Sequence, residues 1–234
     1  MKNSLKYTLS VAFLALVAAC GGGGGGGGST GPVTSTETFQ VRTALTNYLI
    51  NTATYTGTVS GTYSTYPLTG TFIVTQGNLG AGTFEGHSAL SKATTASGSF
   101  IVNGTTIPSA VTTTTYFDSN YVPLGTTGGT DYEVVTGAVT IPTTARVGDT
   151  ANLYSVNRYS SSTKTSQRGT TQVSYVLEPD TASTAIFKMI QVEKDNSNTT
   201  TSTSTVSFII TPTGGITRKK ETTTESGVAI TITY

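Results

Sequence analysis

The chain has 234 residues, of which 35% are hydrophobic and only 11% are charged. It is long enough for one large β domain or two small ones, and its sparse charge argues against intrinsic disorder, which combines low hydrophobicity with high net charge. With 13 basic and 12 acidic residues, the formal net charge is +1, so the protein lacks the long-range field that gathers nucleic acid. We therefore expect no nucleic-acid partner.

The first residues have the layout of an export signal. Lys2 and Lys6 precede a continuous apolar run from Val11 to Ala19, which is too short to span a bilayer of about 30 Å as a mature helix. The run ends in small residues directly before Cys20, the single cysteine of the chain. Residues 1–19 are therefore predicted to be a signal peptide.

The stretch Leu16-Val17-Ala18-Ala19-Cys20 resembles the lipobox of bacterial lipoproteins. The resemblance implies that Cys20 becomes N-terminal and carries acyl chains such as palmitate, and two or more chains give stable membrane anchoring. Gly21 replaces the aspartate that some such bacteria use for retention at the inner membrane, so the implied location is the outer membrane, facing the periplasm or the surface. The alternative is an ordinary secretory signal, which would leave Cys20 as a free thiol.

A glycine-rich segment follows the cysteine and is predicted to be a tether over residues 20–36. Its sixteen residues after Cys20 have almost nothing to bury and, as a flexible coil, would span about 20–24 Å. The alternative is slippage of a glycine-coding repeat with no selected length.

One short amphipathic helix is predicted over residues 37–50. Glu37 lies at its expected start, and apolar residues recur near helical spacing at Phe39, Leu45, Tyr48 and Leu49. A strand through Phe39 and Val41 is the alternative.

Beyond this segment the hydrophobic period is two. Tyr55, Val59 and Tyr63 share one face of the first such run, while threonines and serines occupy the other. One apolar face and one polar face are typical of antiparallel sheets with one wet side. The predicted fold is all-β: an antiparallel meander of about ten to twelve strands, forming a curved sheet, a sandwich or an open half-barrel.

Turn signals separate the predicted strands. Asn103-Gly104 is the strongest hairpin signal, and Gly77-Asn78, Glu178 to Asp180, Asp195 to Asn198 and Gly214-Gly215 are further predicted turns. Pro108 lacks a backbone donor, which indicates an edge strand or a bulge.

The mature region, 37–234, is predicted to be a single β-rich domain. A second interpretation divides it into two similar halves of four strands each, joined near residues 116–132. Threonine-rich sequences align with one another by composition alone, so the repeat stays a hypothesis.

No catalytic, cofactor or metal site is predicted. His87, the single histidine, would share a strand face with Glu85 and could act as a catalytic base, but no nucleophile elbow accompanies it, so no catalytic role is predicted. Asp131 and Glu133 are a weak candidate for a metal or sugar contact. The basic cluster Arg218 to Lys220 is interpreted as a solvated strand end.

Tyrosine is abundant, with twelve in the chain, and Tyr121 and Tyr132 are predicted as a possible ligand surface. Three functions follow. The first is a non-enzymatic, membrane-anchored envelope lipoprotein with a structural or partner-binding role. The second is a periplasmic carrier that holds a hydrophobic ligand in a curved sheet covered by the helix. The third is an outer-membrane β-barrel, suggested by the alternating, aromatic ending "GVAITITY".

Overall fold

The computed structural model describes residues 34–234 as one helix and twelve strands. The helix is α1 (Val41–Ile50). The strands are β1 (Ala53–Tyr63), β2 (Tyr66–Phe84), β3 (His87–Val102), β4 (Thr105–Phe117), β5 (Pro123–Gly128), β6 (Tyr132–Thr136), β7 (Thr150–Tyr159), β8 (Gln167–Pro179), β9 (Ala185–Lys194), β10 (Thr200–Ile210), β11 (Ile216–Glu225) and β12 (Val228–Thr233). The predicted all-β meander with one short helix is confirmed.

The meander closes into a barrel. Each strand pairs antiparallel with its neighbours in sequence, and β1 pairs with β12 from Thr58↔Thr233 to Tyr63↔Val228. This last pairing decides between the open and closed arrangements of the sheet. The weakest junction in the wall is between β5 and β6, which share only two residue pairs, Gly125↔Val134 and Thr126↔Glu133.

The two faces of the wall differ in polarity. Along β1, Thr54, Thr56 and Thr58 are exposed on the outside. Along β9, Phe187 and Met189 are buried on the inside. The inward side chains form two apolar clusters, one on β7–β10 and under α1, the other on β1–β4 and β12. The alternation predicted from sequence therefore separates a largely apolar inner face from an outer face that is rich in threonine and also carries the exposed Ile73 and Ile101.

The helix begins four residues later than predicted. Phe39 forms an isolated antiparallel bridge with Ala145. The backbone N–H of Phe39 donates to the carbonyl oxygen of Ala145 at 2.9 Å, and the N–H of Ala145 donates to the carbonyl oxygen of Phe39 at 3.0 Å. Because residue 39 is held by this bridge, the helix starts at Val41. Val41 and Ala44 are buried against the apolar cluster, so α1 lies across one end of the barrel.

Most predicted turns are confirmed, with one correction. Asn103 and Gly104 connect β3 and β4 with positive φ values of 49° and 73°. Gly77-Asn78 is not a turn but a bulge inside β2, because the pairing with β3 continues on both sides of it.

Glu85 does not share a strand face with His87, because Glu85 and Gly86 form the turn between β2 and β3, at φ values of 51° and 78°.

Two other segments bear on the sequence predictions. β5 lies within residues 116–132, the segment proposed to join two halves. β5 pairs with β4 only from Thr113 to Phe117, so Pro108 has a strand neighbour on one side alone, as predicted for an edge position.

Candidate functional site

A cavity of about 160 Å³ lies inside the barrel next to α1. Helix residues form one side of it, and inward-facing residues of β2–β4, β7 and β9–β11 form the others. Much of the lining is apolar, including Leu45, Leu49, Val74, Leu153, Met189 and Phe208. A mainly apolar concave site with a few polar groups is the usual form of a small-molecule site.

Tyr48 fixes the helix to the barrel wall. Its ring meets Phe208 edge-on, with 4.9 Å between ring centroids, and stacks near Tyr55 at 6.3 Å. Its hydroxyl accepts a hydrogen bond from Nη1 of Arg218 at 3.1 Å. Burial raises the pKa of Tyr48, so the hydroxyl stays protonated.

Lys92 on β3 holds the C-terminal end of α1. Its Nζ donates to the carbonyl oxygens of Tyr48, Leu49 and Asn51, at 3.2, 2.7 and 2.6 Å. These carbonyls belong to the last turn of the helix, where backbone acceptors lack intrahelical partners. Burial lowers the pKa of Lys92 to about 8. The wall thus caps the helix with a cation that also lines the cavity.

Arg218 on β11 sits in a second buried contact. Nη2 of Arg218 donates to the carboxylate of Glu221, and the Tyr234 hydroxyl donates to the same carboxylate at 3.1 Å. The guanidinium carbon lies 5.0 Å from the centre of the Tyr234 ring. Nε of Arg218 is buried and has no hydrogen-bond partner among the described residues. The sequence interpretation of a solvated strand end was therefore wrong for Arg218, because its side chain points inward.

Gln76 on β2 lines the cavity and carries a buried acceptor without a partner among the described residues. The residue is 5% exposed, and its Oε1 has no hydrogen-bond partner in the part of the chain that the structure describes. Gln76 is also one of the lining residues. A buried acceptor without a donor is costly, which makes Gln76 a candidate partner for a bound molecule that carries a hydroxyl or N–H group.

The cavity opens beside a short loop. Arg42 and Asn120 line it and are exposed, so they mark its mouth. The Asp118 carboxylate accepts hydrogen bonds from the backbone N–H groups of Asn120 and Val122, both at 2.8 Å. Between them, Tyr121 adopts a positive φ of 62° and lines the cavity.

The structure does not bring the two predicted ligand tyrosines together. Tyr132 lies on the other face of β6 from the buried Glu133 and packs against Phe84, with ring centroids 5.6 Å apart. Its hydroxyl donates to Oε1 of Glu85 at 2.5 Å. Only Tyr121 of the pair lies at the cavity.

A buried ionic cluster occupies another part of the interior. We define it as Asp131, Glu133, Arg158, Glu193 and the half-exposed Arg168. Nη1 of Arg158 donates to Glu193 at 2.6 Å and to Asp131 at 3.2 Å, and Arg168 donates to Asp131 at 2.9 Å. Burial, with the nearby carboxylates, raises the pKa of Glu133 to about 8 and that of Glu193 to about 7.

The remaining sequence candidates lie apart from the cavity. Asp131 pairs with two arginines, and residues 34–234 contain no group of three or more His, Cys, Asp or Glu residues arranged to hold a metal ion. His87 is exposed at the start of β3 and does not line the cavity. Within residues 34–234, no helix is both long and apolar enough to cross a membrane.

Sequence reasoning missed the polar residues of the cavity. Gln76 follows Phe72 and Val74 on the same strand face, so a polar residue in an apolar series was a usable signal. Lys92 and Arg218 gave no local signal, because their partners on α1 are distant in sequence. Comparison with protein-family models, curated proteins and solved structures gives no match to this chain.

Proposed function

We propose that the protein is a non-enzymatic envelope lipoprotein whose barrel binds a small, mainly apolar molecule in the cavity beside α1. The observation that carries the proposal is the largely apolar cavity beside α1, whose lining includes Gln76, a residue with a buried Oε1 that has no partner among the described residues. Natural interiors are close-packed and pair their buried polar groups, so the combination of space and an unpaired acceptor favours a binding site.

The size of the cavity limits the ligand. An engineered apolar cavity of roughly 150 Å³ in another protein binds benzene. The cavity here, at about 160 Å³, is of the same size, so the ligand is on the scale of one aromatic ring. This favours a small molecule over a larger hydrophobic ligand.

The polarity of the wall supports the carrier over the outer-membrane barrel. Barrels in membranes direct an apolar band toward lipid. On β1 the outward residues are threonines and serine, and on β9 the outward Lys188 pairs with Glu178 of β8 at 2.5 Å. The outside is mixed rather than wholly polar, since Ile73 and Ile101 are 40% and 45% exposed, but its threonines, serine and ion pair suit water better than lipid.

The membrane part of the proposal depends on the sequence alone. The signal peptide and the lipidated Cys20 lie outside the described residues. We expect Cys20→Ala to lose incorporation of labelled palmitate and to leave the protein either in the periplasm or as an uncleaved precursor. Palmitate labelling and membrane fractionation measure this. Continued labelling and membrane retention of the alanine variant would place the anchor elsewhere.

Binding in the cavity is tested with two substitutions on β3. Thr94 lines the cavity, whereas its neighbour Thr95 is exposed on the outside. Toluene binding is followed by NMR chemical shifts. We expect toluene to bind both the unmodified protein and the Thr95→Phe variant. The Thr94→Phe variant should not bind toluene, because the added ring fills the cavity.

Thermal unfolding of both phenylalanine variants shows whether each is folded. Equal toluene binding by the two folded variants would remove the cavity as the binding site, and so would an absence of binding to the unmodified protein.

A further inference from the structure

The cavity has an unbalanced charge. Three basic residues line it, Arg42, Lys92 and Arg218. None of the described residues that line it is an aspartate or glutamate. Such an excess of cations favours an anion, and the attraction is stronger at the buried Lys92 than at the exposed Arg42, where solvent weakens it.

Two of these cations have no carboxylate partner. Nζ of Lys92 bonds to three backbone carbonyls, and Nη2 of Arg42 bonds to the carbonyl oxygen of Ile141 at 2.8 Å. Among residues 34–234, the ion pairs include neither Lys92 nor Arg42. Arg218 alone is paired, with Glu221, and even its Nε has no partner there.

The ionic cluster does not offset this excess. Within the cluster, Glu133 interacts electrostatically with Tyr154, which lines the cavity. Burial is the main cause that raises the pKa of Tyr154, and the charge of Glu133 raises it further. Its own pKa is raised to about 8, mainly by burial, so at pH 7 it is largely protonated and neutral. Asp131 and Glu193 are paired with Arg158.

We propose that the ligand is a small carboxylate with a ring-sized apolar body, held with its carboxylate at Arg42 in the mouth of the cavity. This rests on the proposed function and adds the charge of the ligand to it. The planar guanidinium of Arg42 retains donors beyond its one bond to Ile141, and its fork matches the two oxygens of a carboxylate. The apolar body lies against Leu153, Met189 and Phe208.

The test compares benzoate with benzyl alcohol, which is similar in size but uncharged. Both are titrated calorimetrically into the purified full-length protein at low salt. We expect benzoate to bind about tenfold more tightly than benzyl alcohol, in line with the strength of one charge-assisted hydrogen bond.

Arg42→Gln should remove this preference and leave binding of benzyl alcohol unchanged. Arg146→Gln is the matched control, because Arg146 is exposed and does not line the cavity. It should retain the tenfold preference.

The outcomes separate the two proposals. Equal affinity of the unmodified protein for both probes, or a preference that survives Arg42→Gln, overturns the carboxylate inference while a small-molecule site remains. If neither benzoate, benzyl alcohol nor toluene binds, both proposals are overturned. Thermal unfolding of the two glutamine variants confirms that each is folded, which is expected because both arginines are at the surface.

Discussion

The barrel buries charge in two places, and it balances that charge differently in each. In the ionic cluster, Arg158 contacts both Asp131 and Glu193, and carboxyl groups outnumber basic groups. At the cavity, basic groups outnumber carboxylates, and Lys92 is balanced only by backbone carbonyls. The charged groups of the ionic cluster bond to one another, whereas the cations at the cavity lie beside open space.

This difference separates structural charge from charge available to a ligand. The carboxylates around Arg158 already occupy its Nη1, although its buried Nε has no partner among the described residues, so the paired charges of the ionic cluster mainly stabilise the fold. Arg42 and Gln76, which line the cavity, also have unused hydrogen-bonding capacity. Substitutions in the first region should therefore change stability, and those at the mouth of the second should change binding.

The largest effect is expected from Arg158→Met. The substitution leaves the buried carboxylates of Asp131 and Glu193 without their shared partner, at a cost of about 3–5 kcal/mol in the free energy of unfolding. Urea denaturation measures this. Arg168→Met is the control, because the Arg168 side chain is 47% exposed and its loss should cost no more than about 1 kcal/mol. Equal costs for the two variants would show that the ionic cluster is not an interdependent buried unit.

The pH dependence of stability should come from the ionic cluster. The pKa of Glu133 is raised from 4.5 to about 8, so the folded protein binds a proton more readily than the unfolded chain between these values. Stability is then greatest near pH 5 and falls as the pH rises through 8, by on the order of 3 kcal/mol, and Glu193, with a pKa of about 7, acts in the same direction.

Melting temperatures between pH 5 and pH 8.5 measure this dependence. Glu133→Gln should flatten the curve and stabilise the protein at pH 8.5, whereas Glu37→Gln, at an exposed position, should not. A stability that instead rises across this range would contradict the raised pKa of Glu133.

A smaller loss is expected at the cavity from Lys92→Met, about 2 kcal/mol, because three helix carbonyls lose their donor. Denaturant unfolding gives the size of the loss, and hydrogen exchange should show faster opening confined to α1. Lys220→Met, at an exposed position on β11, serves as the control and should stay within about 0.5 kcal/mol of the unmodified protein. Uniformly faster exchange across the barrel would show that Lys92 supports the whole fold rather than the helix.

The sequence predicted the strands well because their cause is local. Alternation of apolar and threonine residues assigns each strand and its two faces, and Asn103-Gly104 marks a hairpin through its backbone conformation. Closure of the barrel was not predictable in this way, since it depends on Thr58 pairing with the distant Thr233. The helix start shifted for a similar reason, because Phe39 is held by Ala145.

The candidate site was predicted only in part. Tyr121 was identified as a possible ligand residue, and it lies at the cavity because the Asp118 loop holds it there. Lys92 and Arg218 reach the site through contacts with α1, which no pattern within a single strand reveals. Arg218 shows the limit clearly. It belongs to a basic cluster in sequence, and a regular strand would place it on the same face as Lys220. A register shift in the pairing of β11 with β10 separates the inward Arg218 from the exposed Lys220.

The pairing of β1 with β12 also has a consequence for biosynthesis. During translation, β1 emerges first among the strands and β12 last. The outer edge of β1 therefore gains its second neighbour only after every intervening strand has been made. Unpaired edges are templates for pairing with other chains. A polypeptide built in this order carries an open edge through most of its synthesis, and late closure makes assembly slow and dependent on protection from neighbouring chains.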